Sequence, residues 1–101
     1  MSLDARFLPS LRWSLLRTTH VGGYLGATET MCREVAAAEF LGVTRDDIRD
    51  QLDYLERRKL ADVTRHEIDP WRVRLTRYGT DLVEYQVECD AGIRRPPRID
   101  G

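Results

Sequence analysis

Apolar residues recur at helical spacing along the first half of the chain. Leu8, Leu11, Leu15 and then Leu16 or Thr19 lie on one helical face, which predicts a first helix opening near Leu8-Pro9-Ser10. Pro9 suits the first turn, where a missing N–H costs nothing, and the paired glycines of Val21-Gly22-Gly23 end the helix. A second helix follows Thr28, whose hydroxyl can cap it, with Glu29 favourable in its first turn. Its apolar stripe is Met31, Cys32, Val35, Ala36 and Phe40, and Gly42 is placed to close it. The third helix has the clearest start, because Thr44-Arg45-Asp46-Asp47 sets a capping threonine three residues before an acid. Ile48, Leu52 and Leu55 share its buried face, and the cations of Arg57-Arg58-Lys59 favour its C-terminal dipole.

Beyond Lys59 the period changes from helical to alternating. Leu60 to Thr64 predicts a short strand, Glu67-Ile68-Asp69-Pro70 a turn, and Trp71, Val73 and Leu75 alternate with Arg72 and Arg74 in a half-buried strand with a basic outer face. The two strands form a hairpin. Thr76 then caps a last helix, with Tyr78, Leu82 and Tyr85 on one stripe and Val83 beside it. Periodicity is lost from Val87 onward. Ile93-Arg94-Arg95-Pro96-Pro97-Arg98 reads as an extended tail, mobile unless it meets a partner. The expected organisation is a flexible start over 1–7, one domain over 8–86 and a Pro- and Arg-rich tail over 87–101, without internal repeats.

The expected fold is mainly α with a small β-hairpin. Three helices, a two-stranded wing and a C-terminal helix resemble a winged helix-turn-helix domain. Leu52-Asp53-Tyr54-Leu55-Glu56-Arg57-Arg58-Lys59-Leu60 resembles the L-x-x-L-x-x-x-x-L end of a recognition helix running into a wing strand. Val73-Arg74-Leu75-Thr76-Arg77-Tyr78-Gly79 resembles the L-T-x-x-G signature that leaves the second wing strand in MarR-like and PadR-like regulators. The whole chain is also similar to small proteins encoded in Mu-like prophages of bacteriophage origin, although no chemical motif carries that likeness. The resemblance implies a DNA-binding module of transcription-regulating type, with the third helix in the major groove and the wing on the backbone. Carried over, the groove-facing residues are Arg45, Arg49 and Tyr54, and the wing residues are Arg65, His66, Arg72 and Arg74. The chain lacks the long dimerisation helices of those regulators.

Composition changes this picture in one respect. With 42% hydrophobic and 33% charged residues the chain suits one ordinary core, but its 16 basic and 17 acidic side chains give a net charge of -1. A protein that coats nucleic acid by bulk charge is thereby excluded, and DNA binding would rest on local placement of arginine, Lys59 being the one lysine. At about 100° per residue, the face of the third helix opposite its core holds Asp46, Asp50, Asp53 and Arg57, with Arg49 and Tyr54 at its edges. These carboxylates repel phosphates unless paired, for example Asp53 with Arg57. The electropositive candidates are therefore the wing and the tail, where Arg65, Arg72, Arg74, Arg94, Arg95 and Arg98 would form one patch if the tail folds back. The alternative is a protein–protein adaptor, or a homodimer, that presents the acidic helix to its partner. Trp13 is either core or a dimer contact, whereas Trp71 and Tyr78 are expected to pack the wing rather than stack on bases.

The remaining chemistry is sparse. His20, His66, Cys32 and Cys89 include no close-spaced pair of metal ligands, so no metal or other cofactor is expected. Gly22-Gly23 is not followed by the Lys-Ser/Thr of a phosphate loop, and no Ser or Cys stands in a nucleophile context. The expectation is a non-enzyme without a small-molecule substrate. Two cysteines in a chain with an adequate core read as free thiols of a reducing compartment. Met1-Ser2-Leu3-Asp4-Ala5-Arg6 leads into no long apolar region, and no run reaches the roughly 18 residues of a membrane span. A cytoplasmic location is the resulting expectation.

Overall fold

A computed structural model describes residues 3–99. Within them, α1 (Leu8–Val21), β1 (Ala27–Thr28), α2 (Glu29–Ala37), α3 (Arg45–Arg57), β2 (Ala61–Thr64), β3 (Arg72–Leu75) and α4 (Arg77–Val83) follow one another along the chain. Helix starts lie where the capping residues stand. The Thr28 hydroxyl accepts the Met31 N–H at 3.2 Å, and that of Thr76 accepts the Gly79 N–H at 3.0 Å. At α3 the box is reciprocal: Thr44 Oγ1 accepts the Asp47 N–H at 3.1 Å, while Asp47 accepts the Thr44 N–H at 2.9 Å. Each cap satisfies backbone donors that the first turn leaves without a partner.

The sheet has three strands rather than the expected two, in the antiparallel order β1-β3-β2. Val73 stands between Ala27 and Val63, and Arg72 between Thr28 and Thr64. A two-residue strand is too short to show alternation, so β1 leaves no periodic trace in the sequence. The chain reaches β1 through Gly26 at φ 70°, where an added Cβ would lie 2.1 Å from the Val73 carbonyl oxygen. The Glu29 N–H donates to Trp71 O at 2.8 Å, which carries the β1–β3 pairing into the start of α2.

Helix α1 is the central element, packing on α2, α3, α4 and β3. Its Leu11, Leu15 and Leu16 meet Cys32 and Ala36 of α2, Ile48, Leu52 and Leu55 of α3, Val73 of β3 and Leu82 of α4, all fully buried. Two residues of the expected α2 stripe depart from this pattern: Met31 and Val35 remain exposed. The covered arc of α2 centres on Cys32 and Ala36, so the other half of a wide apolar stripe has no neighbour. Helix α2 also ends at Ala37, earlier than Gly42 suggests, and the chain turns through Phe40, whose N–H donates to Ala36 O at 2.7 Å.

The C-terminal segment is not the mobile tail expected from 87 onward. Ile93 is buried in the core, and the Arg94 N–H donates to Pro9 O at 3.0 Å. Arg12 donates to Gly92 O at 2.9 Å, and the Tyr85 hydroxyl donates to Pro96 O at 2.7 Å. Extended and without helix or strand, the segment is still held against α1 and α4. Across the start of the chain, the Leu3 N–H donates to Asp47 Oδ1 at 3.3 Å, and Ala5–Phe7 forms a single 3-10 turn. The body therefore reaches beyond 8–86 at both ends, while residues 1, 2, 100 and 101 of the expected flexible ends lie outside the described residues. Among the described residues no helix is long and apolar enough to cross a membrane.

Candidate nucleic-acid interface

The starts of α2 and α3 and the turn between β2 and β3 meet around Glu29. They enclose an open cleft of about 250 Å³ lined by Thr30, Arg33, Arg45, Arg49, Ile68 and Pro70 as well as Glu29. Glu29 is 3% exposed, and its carboxylate takes Arg49 Nε and Nη2 at 2.6 Å each. Oε1 also accepts the Trp71 N–H at 2.9 Å. The Arg49 guanidinium holds the Glu29 carboxyl below its ordinary range, against the opposing effect of burial, and Glu29 in turn raises Arg49. Arg49 also lies over the Trp71 ring, 4.4 Å from its centroid. The sequence places Arg49 at the groove-facing edge as an available cation. In the structure it is a clamp joining α3 to α2 and β3, with its side chain 25% exposed and Nη1 outside the pair.

Two other expected contacts are also engaged within the molecule. Arg65 donates through Nη2 to Asp53 Oδ1 at 2.5 Å and Glu56 Oε1 at 2.8 Å, and its guanidinium lies 5.0 Å from the Trp71 centroid. The Glu56 and Asp53 carboxylates raise its pKa further, and Arg65 holds Glu56 low. Asp53 thus pairs with the hairpin, not with Arg57. Tyr54 faces α1 and the C-terminal segment: Arg12 sits 3.7 Å over its ring, and its hydroxyl would be 2.3 Å from a Cβ at Gly92. A side chain wedged there is not presented to a groove. Trp71 packs between hairpin and helices as expected, whereas Tyr78 is exposed on α4.

The others stand outward. Arg45 is exposed and, among the described residues, forms no ion pair, and His66 is exposed in the hairpin turn. Arg72 and Arg74 are exposed on the outer face of β3, Arg72 donating to Leu25 O at 3.3 Å and Arg74 lying 4.4 Å over the Tyr24 ring. Arg94 and Arg95 of the tail do not join them. Arg95 caps α4, donating to Leu82 O at 2.8 Å and Val87 O at 2.9 Å, and with Arg94 it lines a separate cleft against α1 and α2. Arg98 is exposed further along the same segment. Arg94 and Arg95 are thus held at a cleft that none of Arg65, Arg72 and Arg74 lines, because the segment docks where Ile93 can be buried.

Comparison with family models, curated proteins and solved structures finds no match to this chain. The functional reading therefore rests on the site itself.

Arg33 is the residue that sequence reasoning missed. Its only signal is a place on the polar face of α2, and nothing local says that this face will meet the start of α3. In the cleft, three arginines accompany one carboxylate, which is buried and already accepts three hydrogen bonds. By contrast, Asp46 and Asp50 are exposed on α3 and, among the described residues, have no ion-pair partner. Among the described residues no group of three His, Cys, Asp or Glu side chains could hold a metal ion. Both thiols are free, and burial pushes Cys32 up to about 12, far from a reactive thiolate.

Proposed function

We propose that this chain is a winged-helix module that grips the phosphate backbone of double-stranded DNA through the arginine cleft and the outer face of the hairpin. The element order and the β1-β3-β2 sheet support the winged-helix reading, with the hairpin as wing. The observation that carries the binding reading is the convergence of Arg33 and Arg45 where two helix starts meet the hairpin turn, with Arg49, paired to Glu29, forming the wall of the cleft between them. Their one carboxylate neighbour in that cleft, Glu29, is satisfied from within. Guanidinium groups take phosphate oxygens in bidentate fashion, and helix starts favour anions. Arg72 and Arg74 extend the positive surface along β3. Asp46 and Asp50 on the exposed face of α3 disfavour deep base reading, so the contacts position the protein and carry little sequence information. A DNA-binding role of this kind, with reduced thiols, belongs to the cytoplasm.

Fluorescence anisotropy of a labelled mixed-sequence duplex, titrated at about 50 mM and about 200 mM salt, tests the reading. Binding should weaken steeply with salt, and an Arg33→Ala/Arg45→Ala variant should reduce the salt slope by about two. Unchanged affinity and slope in that variant would exclude the cleft.

A second reading, a protein adaptor, is favoured by Asp46 and Asp50, which are exposed and, among the described residues, form no ion pair. Asp50→Arg separates the two. It strengthens DNA binding if α3 approaches the phosphates, and weakens capture of a basic protein if that face is the adaptor surface.

A further inference from the structure

The apolar half-stripe that α2 leaves uncovered does not stand alone. Met31 is 45% exposed and Val35 52%, and Val21 at the end of α1 is 79% exposed beside them. They line an open groove of about 540 Å³ between α1 and α2, whose rim carries Arg17 on α1 and Glu34 on α2. The groove adjoins a second of about 660 Å³, reaching Trp13, Pro96 and Pro97, and the two share Arg17, Thr18 and Val35. The result is a continuous apolar strip with cations on the α1 and C-terminal side and carboxylates on the α2 side. Arg17 and Glu34 are both exposed, and among the described residues neither forms an ion pair.

We infer that this strip is a two-fold interface between copies of the chain. An isologous contact requires a surface complementary to itself. An apolar centre flanked by one row of each sign meets that requirement: a two-fold rotation lays Arg17 of each copy on Glu34 of the other, and Val35 and Met31 on their counterparts. A strongly basic or acidic partner would satisfy only one of the two rows. The open association surface also gives Trp13 a place at the interface margin, where it packs edge-on against Tyr85 with centroids 6.3 Å apart. On α2, Arg33 lies about 180° around the helix from the midpoint of Met31 and Val35. The interface therefore leaves the arginine clefts of both copies open on the outer sides. The inference stands on its own observations and does not depend on DNA binding.

Sedimentation equilibrium of the full chain over a range of concentrations tests it. The wild type should pass from monomer to dimer, and Val35→Lys should weaken association by about tenfold or more. Circular dichroism checks that this exposed position leaves the fold intact. Arg17→Glu should weaken the dimer and Arg17→Glu/Glu34→Arg should restore it, an effect that a purely structural defect would not produce. A wild type that stays monomeric at sub-millimolar concentration, or a dimer indifferent to Val35→Lys, overturns the proposal. Loss in Arg17→Glu without recovery in the double swap also overturns the two-fold arrangement. With a monomeric wild type, the strip would be left to a different occupant, such as an amphipathic helix of another protein.

Discussion

Replacing Arg49 by methionine keeps an unbranched apolar stem and removes the charge that Glu29 faces. Glu29 is 3% exposed, so its carboxylate would be left buried with the Trp71 N–H as its remaining bonded donor. Removing one partner of a buried pair costs about 3–5 kcal/mol, because the survivor keeps its desolvation penalty. Loss of the Arg49 guanidinium widens the cleft and lets water rehydrate part of the carboxylate, so a loss of about 2–3 kcal/mol is expected. For a domain of this size that is a fall in Tm of roughly 10–15 °C. The pH dependence distinguishes this cause from lost packing. In the wild type Glu29 titrates below its ordinary 4.5, so its contribution is present above that value and is lost as pH falls through the lowered one. In the variant burial raises Glu29 instead, and stability is lost as pH rises above 4.5. The gap between the two proteins should be widest near about pH 7 and narrow toward about pH 4. Urea denaturation at both pH values measures it. A gap that is equal at the two pH values, or below about 0.5 kcal/mol at the higher one, would refute the buried-pair account.

Two further substitutions test how the elements are fitted together. Gly79→Ala in α4 should destabilise by about 1–3 kcal/mol in urea denaturation, the reverse of the usual helix preference for alanine, because its Cβ would stand 2.0 Å from the Leu60 carbonyl oxygen. Ile93→Ala should cost about 2–4 kcal/mol, read as a Tm shift, since Ile93 is buried in the core; an unchanged Tm would return the C-terminal segment to a mobile tail.

The cleft could not be read from the chain, although its parts could. Arg45 and Arg49 are visible as polar positions of a well-marked helix, and Arg72 and Arg74 as the outer face of an alternating strand. What decides their availability is the partner each finds, and those partners are distant in sequence. Arg49 meets Glu29 across 20 residues, and Glu29 meets the Trp71 N–H across 42. An i, i+4 rule proposes Asp53 with Arg57, but the hairpin brings Arg65 to Asp53 instead. Arg33 enters the site only because α2 begins beside α3, a matter of packing that no periodicity records.

Features set by neighbours along the chain were determined by the sequence alone. Caps at Thr28, Thr44 and Thr76, the helical faces of α1 and α3, and the alternation of the hairpin all depend on contacts within a few residues, where backbone geometry is repetitive. The tertiary structure alone decided the third strand, the docking of the C-terminal segment, the exposure of Met31 and Val35 and the fate of each arginine. Those outcomes depend on which surfaces compete for the same space. Arg12 and Gly92 lie 80 residues apart along the chain yet share a hydrogen bond. Burial of Ile93 and satisfaction of buried polar groups choose among such distant pairings, and that choice is made only when the whole chain is packed.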